Sequence, residues 1–309
     1  MSARLASESF AICAGCEVTI LDIGEPLLAV LEQVDIVHMQ VLMDHKIYGQ
    51  TGEGTEIDIP QADIGLLSGG IRTEEHKEIA RAMRAKCKTI VALGSCACFG
   101  GVPALANQYV TDELLEKVYR GSSTTDADGI PHEELPPLTD RVYAVSEVVK
   151  VDVSLPGCPT TPEMVAGALT ALLEGKPFSM ATKSVCDECP TKREKKATST
   201  LKRRLEAPQF EPGKPLAEMR CLMEQGYLCL GPATRSGCGG SEGVPRCIRA
   251  YVPCEGCFGP LSEKANPMVD MMGALATIGL DPKSIPDRAA TFNRFAGANG
   301  RLRPLPARK

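Results

Sequence analysis

TIVALGSCACFGG, residues 89–101, decides how the chain folds. Its first five residues, Thr89–Leu93, form an apolar run of the length and β-branched character of a strand buried on both faces. An amphipathic stretch, Thr73–Lys86, precedes it, and a Gly–Ser–Cys turn closes it. The same alternation repeats outward. Ser9–Ile12, Ile36–Leu42, Ile64–Ser68 and Val151–Leu155 are predicted strands, and Glu17–Gln33 and Pro162–Glu174 are predicted helices. Thr161 is placed to cap the last helix, with Pro162 in its first turn and Gly175 as its stop. Strands alternating with helices predict an α/β fold, an open and mostly parallel sheet of flavodoxin-like order. The polar, Pro-punctuated segment Ser122–Pro137 reads as a surface loop.

After Gly175 the composition shifts to Pro, Gly and Cys, and only Met268–Ile278 keeps a helical pattern. The expectation is a flavodoxin-like parallel-sheet domain over residues 1–178, then an irregular cysteine-rich domain over 179–309. So little periodic apolar sequence cannot build a core alone, whereas metal–ligand bonds supply folding free energy directly. Hydrophobic residues are 43% and charged residues 24%, which excludes a disordered or fibrous chain. The longest nearly apolar run, Met164–Leu173, falls short of the about 20 residues a bilayer requires. The first residues, MSARLASESFAICAGC, lack the apolar core of a secretory signal. A net charge of −5 argues against a nucleic-acid partner. A cytoplasmic protein with no membrane span is expected.

Fourteen cysteines in 309 residues lie below the roughly 8–10% of a disulfide scaffold, and a reducing compartment favours metal or redox chemistry. Three pairs have C-x-x-C spacing: Cys13/Cys16, Cys186/Cys189 and Cys254/Cys257. The gaps between pairs are too long for a zinc ribbon, and no bacterial ferredoxin run or radical-enzyme C-x-x-x-C-x-x-C triplet occurs. Cys13 and Cys16 follow the first strand, Cys96 the strand Thr89–Leu93, and Cys158 the strand Val151–Leu155. Loops after the carboxyl ends of parallel strands converge on one crevice, so these four thiols are expected together. Glycines at 15, 94 and 157 would let backbone approach an inorganic core. Strand–CAGC–helix is also the layout of a thiol–disulfide oxidoreductase using Cys13/Cys16, and that alternative stands beside cluster ligation. Glu17 either passes protons near the thiols or merely suits a first helical turn.

CAGCE, GSCACFGG and PGCPTTPE resemble the amino-terminal module of nickel–iron hydrogenase small subunits, and the resemblance covers nearly the whole chain. The cluster-bearing B-type subunit of NADH–quinone oxidoreductase is a more distant likeness, with adjacent cysteines and no long cysteine-rich tail. The resemblance implies three 4Fe–4S clusters. Cys13, Cys16, Cys96 and Cys158 would hold the one nearest the nickel–iron site of a separate large subunit. CLMEQGYLCLGPATRSGC and CIRAYVPCEGC look like the pattern for the other two. Cys238, Cys247, Cys254 and Cys257 would hold the middle cluster, and Cys186, Cys189, Cys221 and Cys229 the distal one. Two departures matter: many relatives have histidine where Cys186 stands, and many have proline where Cys247 stands and hold three irons there. The all-cysteine tail is most similar to the methyl-viologen-reducing, deazaflavin-non-reducing hydrogenases of methanogenesis. Their acceptor is a small iron–sulfur subunit coupled to heterodisulfide reductase. Deazaflavin-reducing and NAD(P)-linked small subunits are the alternatives, as is, for the last eight cysteines, structural zinc.

Cys87 and Cys98 fall outside the three sets and read as packed, non-ligating thiols. Lys183–Arg204 carries eight basic and three acidic residues, so an acidic partner beside Cys186 and a plain solvated stretch are both open. The basic tail from Arg294 is open between contact and disorder. GCGGSEG, residues 237–243, reads as ligand-loop turns, not phosphate binding. His38, His45, His76 and His132 form no recognisable ligand set.

Overall fold

The computed structural model describes residues 2–43, 48, 54, 56–124, 126, 129–180, 182–202, 208–211, 213–262 and 264–304. The chain divides into two compact units, Met1–Phe178 with Phe295–Lys309, and Ser179–Arg294.

The first unit runs β1 (Ala3–Ser9), α1 (Gly15–Leu21), α2 (Pro26–Leu31), β2 (Val34–Met39), β3 (Ala62–Ser68), β4 (Ile71–Thr73) and α3 (Glu74–Lys86). It continues with β5 (Cys87–Leu93), α4 (Gly94–Phe99), α5 (Thr111–Tyr119), β6 (Leu138–Tyr143), β7 (Val153–Leu155) and α6 (Pro162–Leu173). Five strands pair in the order β2-β1-β3-β5-β7, every neighbour parallel. This is the flavodoxin-like order expected from the sequence. Alternate side chains separate two cores, as the pleat requires. Leu5, Ile64, Leu66, Val91 and Leu93 cluster with Ile20, Val165 and Leu169 of α1 and α6. Ala6, Leu67, Ile90 and Ala92 cluster with Ile79, Ala80 and Met83 of α3 and Phe99 of α4. Thr161 accepts the Met164 N–H at 3.3 Å as the cap of α6, and Gly175 follows that helix at φ 68°.

Several sequence expectations are corrected. The first strand is Ala3–Ser9, not Ser9–Ile12, because its polar residues are buried rather than outward-facing. Glu8 is 3% exposed, and its Oε1 lies 2.5 Å from Nε2 of the fully buried His38 on β2. The predicted helix Glu17–Gln33 is two helices, broken where Gly24 takes φ 72° and Pro26 opens α2. The strand from Ile36 stops at Met39, and the last sheet strand starts at Val153. The antiparallel pair β4–β6 and helices α4 and α5 carried no sequence reading. The described part of 122–137 joins α5 to β6 and is largely exposed. His45 lies outside the described residues.

The second unit contains α7 (Val185–Glu188), α8 (Arg246–Arg249), α9 (Pro267–Thr277) and α10 (Arg288–Phe292). Asn266 caps α9 through the amides of Met268 and Val269, and Met271 and Leu275 bury its inner face. Met219, Leu222, Tyr227 and Ile248 form an apolar cluster, with Cys189, Leu216 and Tyr251 packed against them, and Phe258 and Leu280 are buried as well. The tail expected in this second domain returns instead to the first unit. Ala298 N donates to Phe99 O at 2.9 Å, Asn299 N to Glu147 Oε2 at 3.1 Å, and Ala298 is buried beside Val142. Among the described residues no helix is long and apolar enough to cross a membrane.

Candidate metal centre

β1, β5 and β7 end on one edge of the sheet, and their loops carry Cys13/Cys16, Cys96 and Cys158. The chain leaves β1 through Ala14 at φ 63° and enters α1. The loops after β5 and β7 are tied to each other: Ser95 N donates to Gly157 O at 2.8 Å, and Gly157 N to Ser95 Oγ at 3.0 Å. The Thr160 hydroxyl closes the second loop onto Leu155 O at 2.9 Å. Cys16 is buried, Cys96 half-buried, and Cys13 and Cys158 exposed.

Three glycines leave room for sulfur. A Cβ on Gly94 would stand 2.3 Å from Cys16 Sγ, and one on Gly101 would stand 2.4 Å from Cys96 Sγ. Gly15 lies against Cys13 in ordinary contact, 3.4 Å from a would-be Cβ. Gly101 carried no sequence reading, although its signal was present in the paired glycines of GSCACFGG. Burial pushes the Cys16 thiol well up, and Glu17, Cys96, Cys158 and Cys13 add to the cost of ionising it. Burial and Cys158 lift Cys96 to about 11, against a lowering hydrogen bond from the Val102 amide. Burial, then Cys13, raises Cys158. Glu17, 5% exposed, accepts from Ser9 Oγ at 2.8 Å and from Ser68 Oγ, which pins α1 to the sheet edge.

The second unit gathers two further groups. Cys186, on α7, feels Cys189 and Cys221; burial, eased by Arg193, lifts its thiol to about 12. Cys229 is buried and pushed up by desolvation, accepts the amides of Gly231 and Cys254, and feels Cys186 and Cys221. Cys221 takes the amides of Glu224 and Met223. A Cβ on Gly231 would meet Cys186 Sγ at 3.2 Å and Cys229 Sγ at 3.6 Å. Cys238 accepts the Arg246 amide and feels Cys247, while Cys254 feels Cys229 first and then Cys257 and Cys247, and accepts the Gly256 amide. Cys87 and Cys98 stand apart in the core beside α3 and α4, and Cys98 Sγ donates to Ala92 O at 3.4 Å. GCGGSEG forms turns through Gly237, Gly240 and Gly243 at positive φ.

These donor sets fit iron–sulfur clusters. Thiols lie near one another, backbone amides point at sulfur, and glycines clear the approach. Among the described residues no three or more His, Cys, Asp or Glu side chains converge closely enough to hold a metal ion. Burial raises the Cys16, Cys96, Cys158 and Cys186 thiols, so ligation through them must expel protons. Iron and sulfide uptake by the apo-chain should therefore accelerate from about pH 7 to about pH 9. Uptake that slows over that interval, followed by absorbance, contradicts this account.

Residues 13–172 match the family model of the NADH ubiquinone oxidoreductase 20 kDa subunit. The chain is 42% identical to a subunit of the vhu F420-non-reducing hydrogenase of Methanocaldococcus jannaschii, over 92% of this chain and 91% of that one. A chain of the NAD+-reducing NiFe-hydrogenase in the H2-reduced state is similar at a TM-score of 0.53 and 34% identity, covering 59% of this chain and 96% of that chain. The recombinant NiFeSe hydrogenase of Desulfovibrio vulgaris Hildenborough shares the fold at a TM-score of 0.53 and 16% identity, over 85% of this chain and 95% of that one.

Proposed function

Since the chain belongs to the NADH ubiquinone oxidoreductase 20 kDa subunit family and, within it, to the small iron–sulfur subunits of F420-non-reducing hydrogenases, we propose that it carries electrons from H2 oxidised on a nickel–iron large subunit to a small iron–sulfur acceptor subunit linked to heterodisulfide reductase. It is part of an oxidoreductase whose activity belongs to the complex. We place that complex in the cytoplasm. The observation that carries the reading is the meeting of Cys13, Cys16, Cys96 and Cys158 at one edge of the sheet, where the Cys16 thiol feels the other three.

When bound, three four-iron clusters would supply a one-electron path between the hydrogen-splitting site and the acceptor. Cys13, Cys16, Cys96 and Cys158 would hold the first, Cys238, Cys247, Cys254 and Cys257 the middle, and Cys186, Cys189, Cys221 and Cys229 the distal one. The chain's residues hold, orient and shield these groups. Exposed Cys13 and Cys158 leave the first set open on one side, where a large subunit would sit. Buried Cys229 and Cys254 keep water from the sulfurs of the other two. Amides of Val102, Met223, Gly231 and Gly256 donate to sulfur and favour its anionic form.

Anaerobically purified protein should contain about twelve irons and about twelve sulfides per chain, three clusters of four. Near-zero iron with two zincs would sink this reading.

A further inference from the structure

The segment 192–196 is an exposed loop carrying Lys192, Arg193, Lys195 and Lys196, with backbone held in an unusual shape. Lys195 has φ 62°, the left-handed region that long side chains rarely enter. Glu224 holds it there. Its carboxylate, on a residue 2% exposed, accepts the Glu194 amide at 2.8 and 3.0 Å and also the Lys195 amide. Arg220 Nε lies 3.4 Å from the same carboxylate. A buried carboxylate is tolerated only where it is paired, and this one is committed to shaping a surface loop. Such strain in a non-glycine residue points toward function.

The same segment is fastened to the thiols of the proposed distal set. Arg193 Nη2 donates to Cys186 O at 2.6 Å, Cys221 N to Lys192 O at 2.8 Å, and Cys189 Sγ lies 3.1 Å from Thr191 Oγ1. Nearby acids are engaged locally. Asp187 accepts from Ser184, Glu188 from the Gly237 amide, and Glu194 pairs with Lys192 and Arg220. Lys183, Lys195 and Lys196 are exposed beside them, in a chain whose net charge is −5. The basic rim runs against the charge of the whole protein.

We infer that the clamped loop 192–196 is the docking surface for an acidic one-electron carrier protein seated over Cys186, Cys189 and Cys221. This rests on the electron-transfer reading above and adds the chemistry of the partner's face. Opposite charges steer and orient the encounter, and a pre-shaped loop removes the cost of ordering it.

The test uses the hydrogenase of large and small subunits, without its acceptor subunit, with H2 as donor and three acceptors: an acidic plant-type two-iron ferredoxin, basic cytochrome c and the small dye methyl viologen. Reversing both charges, Lys195→Glu with Lys196→Glu, should lower kcat/KM for ferredoxin about tenfold at low salt and raise it for cytochrome c. Dye reduction should stay within about twofold, because a small dye needs no docking face. Unchanged ferredoxin kinetics in a variant with full iron content overturns the docking site. Wild-type salt titration tests it without any variant: the ferredoxin rate must fall with ionic strength, and a salt-independent rate overturns the inference. Failure of wild-type complex to reduce even methyl viologen with H2 would instead sink the electron-transfer reading.

Discussion

Gly101→Ala protein should retain about eight irons per chain instead of about twelve, losing the group held by the sheet edge. A Cβ at residue 101 would lie 2.4 Å from Cys96 Sγ, 2.7 Å from its Cα and 2.9 Å from its N. Two of those atoms are backbone of α4 and cannot swing away. The residue also sits at φ 54°, where a side chain adds about 1–2 kcal/mol of strain, and overpacking adds roughly 1–3 kcal/mol more. Set against a typical stability of about 5–15 kcal/mol, this displaces Cys96 without unfolding the chain. Gly175→Ala is the matched control. Its φ is 68° but nothing lies within 4 Å, so it carries strain alone and should keep all its iron. Full iron in Gly101→Ala would remove Cys96 from the ligand set.

Cys229→Ser should cost two groups of irons, leaving about four per chain rather than about eight. The loops carrying the last two thiol sets are laced at one point. Cys254 N donates to Cys229 Sγ at 3.2 Å, Leu230 N to Cys254 O at 2.8 Å, and Cys254 feels Cys229 most strongly among the cysteines. Metal–ligand bonds supply folding free energy to the loops that hold them, and the loss of one set loosens the loop that presents the other. Cys98→Ala is the control: its sulfur belongs to the core of the first unit, and iron content should not change. Iron assay and near-ultraviolet dichroism check both. Eight irons retained in Cys229→Ser would make the two groups independent.

Legibility in the sequence followed the chemistry of each residue. β3 and β5 were readable because strands buried on both faces are written in Ile, Val and Leu. β1 was misplaced because Ser7 and Glu8 are buried polar residues, and hydropathy cannot foresee the hydrogen bond between Glu8 and His38. α1 and α2 merged into one helix because the apolar pattern continues across Gly24, whose positive φ breaks it. The four sheet-edge thiols followed from topology, since strand ends fix where loops converge. The division of the last eight came only through resemblance, because irregular loops follow no periodicity. Glu224 was invisible: within CLMEQG it is an ordinary acid, and only the backbone that it gathers from residues 194 and 195 gives it a task.

The return of Phe295–Lys309 to the first unit bears on biosynthesis. Segments of the first unit lie on both sides of Ser179–Arg294 in the sequence. The second unit is thus an insertion within the first, and the bond from Ala298 to Phe99 joins residues that lie on either side of it in the sequence. A premature stop after Arg294 would leave the second unit whole and the first permanently open.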